Sequence, residues 1–264
     1  MLRALVRTWL LAWLLAAAPL AGAGTACEQH EPDATAFVKA ITLAEKSAAA
    51  LDASNAQVAL IARVGQDLSK YGLRYSHIAY VWRDHPKGRW TVVHELNECG
   101  TAHSSLYDQG LVNFFSDDLF AWESVILVPS PDSQARIVRM LQGDAPRLLH
   151  EARYNMLSYA FGTTYQNSNQ WVLETYAAAA SALPVQGRAQ AQAWLKLAGY
   201  APITISIPAA IRLGARMFKA NVAFDDHPFA RRMTRQIDTV TVESMLKFVR
   251  RVDPGAREMQ VSAN

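Results

Sequence analysis

The stretch YSHIAYVW, Tyr75 to Trp82, then DHPKG, Asp84 to Gly88, then WTVVHEL, Trp90 to Leu96, decides the fold. Both outer runs are rich in β-branched and aromatic residues, and the polar piece between them holds a proline and a glycine. They predict two strands joined by a turn, a β-hairpin. Each strand carries a histidine, His77 and His94, where apolar packing is otherwise expected. Outward from the hairpin, Val58 to Val64 and Ser124 to Val128 read as further strands, the second ended by Pro129. Phe37, Val38, Ile41, Ala44, Ala48 and Leu51 recur at helical spacing after Pro32-Asp33, which predicts an amphipathic helix from Thr35 to Leu51. Ser130 reads as the cap of a helix carrying Ile137, Val138, Met140 and Leu141. A second helical start follows Gly143 and Pro146. The polar run Tyr165 to Asn169 then falls at the N-terminus of a helix formed by Trp171 to Ala177. An alanine-rich helix around 189 to 198, a strand from Ile237 to Val242 and a last helical segment complete the pass. No repeat or low-complexity linker interrupts it, so residues 27–264 read as a single α+β domain, an antiparallel sheet with helices packed around it.

The first residues point to export. Arg3 and Arg7 precede an apolar run from Thr8 to Leu20, and Ala21-Gly22-Ala23 or Gly24-Thr25-Ala26 supplies small residues for cleavage, so residues 1–26 read as a signal peptide. The run is short of the roughly 20 residues that span a bilayer, and no stable transmembrane span is expected after cleavage. Cys27 after Ala26 also allows a lipoprotein, although Gly24 stands where lipidation signals carry leucine. Removal of Arg3 and Arg7 leaves 24 of 26 basic residues against 23 acidic ones. Near-neutrality argues against a nucleic-acid partner, which requires a concentrated basic face. Arg231, Arg232 and Arg235, with Arg250 and Arg251, read as solvated faces beside acidic residues. The two cysteines, Cys27 and Cys99, are expected to form a disulfide in an oxidising compartment. A free nucleophile or a metal site is the alternative, weakened by the absence of a CxxC pattern.

Three pieces place reactive side chains together: Ser76-His77-Ile78, Val93-His94-Glu95 on the partner strand, and Asn167-Ser168-Asn169 at a helix start. A helix N-terminus presents unpaired N–H groups and a positive dipole end, which favour a developing anion. Two histidines on adjacent strands can then serve as base and orienting group. The plainer readings are a buried hydrogen-bonded histidine and a helix-capping serine. His94-Glu95 begins like a zinc-protease motif but lacks the second histidine, and pairing His94 with His103 is the remaining metal reading. Asp225-Asp226-His227-Pro228 is a turn signal first.

This order of histidine strand, polar-residue strand and helix-borne nucleophile resembles the circularly permuted papain-like fold of NlpC/P60 and lecithin:retinol acyltransferase relatives. Together with Arg63 to Ser69, Tyr75-Ser76-His77, His94 to Asn97 and Gln166 to Val172, it is similar more closely to DUF2145, a bacterial family. The resemblance to DUF2145 extends over most of residues 27 to 250. The papain-like resemblance implies His77 as base, His94 as orienting residue, and Ser168 where those families carry a catalytic cysteine. It implies an amide or ester hydrolase or acyl transferase with no cofactor or metal, acting on cell-wall peptides or lipids. A catalytically silent periplasmic binding or assembly protein is the alternative, because the thiol is absent.

Overall fold

The computed structural model describes residues 33–117, 119–208 and 219–264. The expected signal peptide, residues 1–26, and Cys27 lie outside them. Eight strands are described: β1 (Val58–Val64), β2 (His77–His85), β3 (Gly88–Asn97), β4 (Ser104–Gln109), β5 (Ala121–Val128), β6 (Ile203–Ser206), β7 (Gln236–Thr239) and β8 (Arg257–Ser262). Six form one antiparallel sheet in the order β4-β3-β2-β1-β5-β8, and β6 pairs separately with β7. The helices are α1 (Ala34–Ala53), α2 (Leu111–Phe115), α3 (Pro131–Gln142), α4 (Ala145–Leu148), α5 (Ser168–Ala180), α6 (Arg188–Leu197), α7 (Phe229–Met233) and α8 (Val242–Val252).

β1 is buried along its whole length, which is why its sequence is apolar at every position except Arg63 rather than alternating. One face of the sheet, with Ala59, Ile61, Ala79, Val81 and Val92, packs on Leu43 of α1 and Phe114 of α2. The other, with Leu60, Ala62, Ile78, Tyr80 and Val93, packs on Trp171 and Tyr176 of α5 and Phe248 of α8. The predicted hairpin is present with a tighter turn than its sequence suggests. His85 pairs with Gly88, so only Pro86 and Lys87 link the strands.

Three expectations are adjusted. The helical start after Pro146 is the single turn of α4, followed by an irregular chain to Asn167. The strand expected from Ile237 to Val242 ends at Thr239, because Thr241 caps α8: its hydroxyl accepts from Ser244 N–H at 3.2 Å while the Ser244 hydroxyl accepts from Thr241 N–H at 3.1 Å. β4 carries no alternating apolar pattern, β6 and β8 alternate only through Ile203 and Ile205 and through Met259 and Val261, and β4 and β8 are the two edges of the sheet.

α5 is held by a buried charge. Glu174 has no solvent exposure, and its carboxylate accepts from Arg188 Nε and Gln166 Nε2, both at 2.7 Å, Gln192 Nε2 at 2.7 Å, and Gln170 Nε2 and Arg188 Nη2 at 3.2 Å. Removing one partner of such a pair strands the other without water or a counter-charge. Arg188→Met is therefore expected to cost about 3–5 kcal/mol of unfolding free energy. Arg147→Ala, in the exposed Arg147–Asp144 pair, should cost less than about 0.5 kcal/mol. Urea denaturation of both variants checks the contrast.

Candidate functional site

α5 begins where four polar side chains converge. The first helical hydrogen bond runs from Trp171 N–H to Asn167 O at 3.1 Å, and Asn167 Oδ1 accepts from Gln170 N–H at 2.8 Å. Asn167 is thus the cap, correcting the reading of Ser168 as cap, and Ser168 is the first residue inside the helix with its hydroxyl released from capping. Asn169 reaches the sheet: its Oδ1 accepts from Ile78 N–H at 3.0 Å and its Nδ2 donates to Ser76 O at 3.3 Å. The β2–β3 ladder reaches only to Tyr80↔Val93, and the Asn169 amide takes the place of a strand partner on both sides of His77.

His77 and His94 are brought together. His77 Nε2 lies 2.9 Å from His94 Nδ1, and His94 Nε2 lies 3.2 Å from Gln109 Oε1 on β4. With Gln109 Oε1 as acceptor, His94 carries its proton on Nε2 and accepts at Nδ1 from His77 Nε2–H. That leaves His77 Nδ1 as the unprotonated nitrogen. Phe114 packs on both rings, at centroid distances of 5.9 and 5.6 Å. Burial, then the charge of Arg63, holds His77 well below the usual imidazole range and His94 down to about 4, so both rings are neutral near pH 7. Arg63 stands opposite His77 in the β1–β2 pairing. Its guanidinium lies over Phe114 and donates to the Phe114 carbonyl and the Asp117 carboxylate.

The histidines belong to the α2 face of the sheet, whereas α5 covers the other face. The two groups meet at the start of β2, in a cavity of about 470 Å³ lined by Arg63, Ser76, His77, Asn97, Tyr154 and Ser168. Ser168 makes no hydrogen bond to His77 within it. Tyr154 lines the cavity beside Ser168, and burial, followed by the nearby Glu95, pushes its hydroxyl up to about 12. Behind Tyr154, Glu95 is fully buried and neither carboxyl oxygen has a hydrogen-bond partner. Ser104, its polar neighbour, is occupied by His150 Nε2 at 3.1 Å. Burial pushes the Glu95 carboxyl up to about 8.

The other sequence candidates lie elsewhere. His103 pairs through its backbone with Arg153 and accepts from Asn97 Nδ2 at 2.7 Å, and no group of three metal-ligating side chains occurs among the described residues. Asp226 holds a turn, accepting from Tyr159 N–H at 2.7 Å and lying 2.9 Å from His227 Nδ1. Cys99 lines the cavity and is disulfide-bonded, while its expected partner Cys27 is outside the described residues. Arg231 pairs with Asp238 at 2.8 Å and Arg250 with Glu258. Sequence reasoning missed Gln109 and Tyr154. The first lies on a strand without apolar alternation, and the second in irregular chain where no spacing marks it.

A family model described as an uncharacterized protein conserved in bacteria, DUF2145, matches residues 50–249. No curated protein and no solved structure matches the chain. No helix among the described residues is long and apolar enough to cross a membrane.

The Glu95 carboxyl gives this site a pH signature. Folded protein retains a proton that the unfolded chain releases above the ordinary value of 4.5, so folding stability falls as pH rises from about 4.5 to about 8 and levels off beyond. Glu95→Gln removes the titration. Melting temperatures at pH 5 and pH 8 should differ less in the variant than in the parent, with the variant the more stable relative to parent at pH 8.

Proposed function

We propose that this chain, which belongs to the DUF2145 family, is an exported enzyme that cleaves or transfers the acyl group of an amide or ester. Ser168 is the nucleophile, His77 the general base and His94 its positioning residue. The observation that carries the reading is the Gln109–His94–His77 chain, which ends in an unprotonated His77 Nδ1 on a side chain lining the same cavity as Ser168. In attack, Ser168 Oγ forms a bond to the carbonyl carbon as its proton passes to His77 Nδ1. Collapse of the tetrahedral intermediate breaks the C–N or C–O bond, and His77 returns the proton to the departing amine or alcohol. Water or a second acceptor then releases the acyl group by the reverse sequence. The Ser168 N–H, at the positive end of α5, and the Tyr154 hydroxyl are the donors for the oxyanion.

The depressed histidine pKa supports serine in this place. A cysteine site of the papain type rests on a thiolate and an imidazolium in the resting state, which needs an imidazole that protonates readily. Burial beside Arg63 works against that cation, whereas a serine asks only for a neutral base that takes a proton during attack. The order of His77 strand, His94 strand and Ser168 helix supports a permuted papain-like arrangement, for which cell-wall peptides or lipids are the proposed substrates. The apolar run from Thr8 to Leu20 and the bonded state of Cys99 support export to an oxidising compartment.

A second reading is a catalytically silent binding or assembly protein. Ser168 shares the cavity with His77 without a hydrogen bond to it, which favours that reading.

Labelling with a fluorophosphonate probe separates the two. The enzyme reading expects covalent modification at Ser168, located by peptide mass spectrometry and abolished in Ser168→Ala. It expects a loss of about 10²- to 10⁴-fold in labelling rate for His77→Ala. The rate should rise with pH through a value well below 6.5 and be flat around pH 7, because the base must be neutral. Absence of labelling in the folded parent leaves the silent reading standing.

A further inference from the structure

The loop after β1, the β6–β7 pair and residues 219–224 build a third apolar cluster apart from the two sheet faces, comprising Leu73, Ile205, Ile207, Val222, Phe224 and Ile237. Leu73, Ile205, Ile207, Val222 and Phe224 of this cluster line a hollow. It measures about 340 Å³, within the lower range of small-ligand pockets. It is contiguous with the polar cavity: Gln66, Ser76 and Met156 line both. Asn169, the neighbour of Ser168, and Ser76, the neighbour of His77, stand on its wall.

We propose that this hollow receives the unbranched apolar acyl chain of the substrate, whose carbonyl is presented to Ser168 across the shared Ser76–Met156 wall. The proposal rests on the acyl-transfer reading for the role of the chain, but the binding itself needs no turnover. A polar cavity holding the nucleophile and base, opening into an apolar one, is the layout that an acyl group requires: a carbonyl to polarise and a hydrocarbon to remove from water. A charged side chain would be buried against Leu73, Val222 and Phe224, a cost that only Asp67, Lys70 and Lys219 of the lining could offset.

The test uses Ser168→Ala protein, which cannot turn over, titrated calorimetrically with neutral butanamide, hexanamide and octanamide. Burial of each methylene is worth about 0.8 kcal/mol, so affinity should rise about three- to fourfold per added carbon. Val222→Trp and Ile205→Phe, which fill the hollow, should each erase the chain-length dependence while leaving the far-ultraviolet circular dichroism unchanged. Should one variant misfold, the other and the chain-length series in the unfilled protein still decide. Affinity independent of chain length, or a dependence that survives both fillings, overturns the proposal. The parent protein separates this from the functional reading. Chain-length-dependent binding without turnover of an octanoyl ester retains the pocket and removes the enzyme. Equal turnover of acetyl and octanoyl esters retains the enzyme and removes the pocket.

Discussion

A fully buried carboxylate sets the position of everything at the start of α5. Glu174 is on the inner side of that helix, and an ionised group there survives only if donors replace the water it has lost. They come from three places in the chain: Gln166 before the helix, Gln170 within it, and Arg188 and Gln192 on α6. Gln166 also donates to Leu149 O at 2.9 Å and accepts from Glu151 N–H at 2.7 Å, which ties in the irregular chain that carries Tyr154. Gln170 accepts from Ser158 Oγ at 2.7 Å. The run Gln166 to Trp171 is thus fully committed to structure with one exception. Asn167 caps, Asn169 spans the backbone around His77, and Trp171 Nε1 donates to Pro146 O at 3.0 Å. Ser168 alone turns its polar atoms to the cavity.

Much of this was legible in the sequence. β1, β2, β3, β5, α1, α3 and α5 follow from apolar runs and periodicity, because each buries its apolar side chains against the sheet or a helix. β4 and β8 did not show, since each is an edge strand held by backbone pairing to one neighbour: β4 has no apolar alternation, and β8 has only the short alternation of Met259 and Val261. The residue at the helix start was legible only to within one position. Asn167 and Ser168 are both good caps, and only the bond from Trp171 N–H to Asn167 O chooses between them. His77 and His94 could be placed on adjacent strands, but their facing was not written in the pattern. Both belong to the parity of Ala79 and Val92, which turns them to α2 and away from α5.

That facing has a chemical consequence. In a strand, neighbouring side chains point to opposite faces, so a histidine on the α2 side and a serine on a helix covering the other side can share a cavity only where the sheet ends. The start of β2 is such a place. The β2–β3 ladder does not continue there, and the Asn169 side chain substitutes for it. The cavity wraps around this frayed end, with Arg63 and His77 on one side and Tyr154 and Ser168 on the other. Any movement of Asn169 would shift the helix start and the base together, which keeps their relation fixed.

Arg63 determines what kind of proton transfer such a cavity can support. Its guanidinium is buried on the same face as both histidines, and its counter-charge, Asp117, is 60 % exposed. On the proposed chemistry, an imidazolium formed at His77 during attack meets the Arg63 cation and the apolar ring of Phe114. The proton relay lessens the cost, because His94 Nδ1 accepts from the newly charged ring and Gln109 fixes His94 in the tautomer that can do so. The cation is still held only weakly, so it is short-lived and its proton is readily surrendered. On the proposed chemistry this favours the second half of each step, in which a poor leaving group must be protonated as it departs. A histidine that kept its proton well would be a better partner for a resting thiolate and a poorer acid for an amine or alcohol. On the proposed chemistry the buried arginine, neutral imidazoles and serine form a consistent set, in which His77 is charged only while a bond is being made or broken.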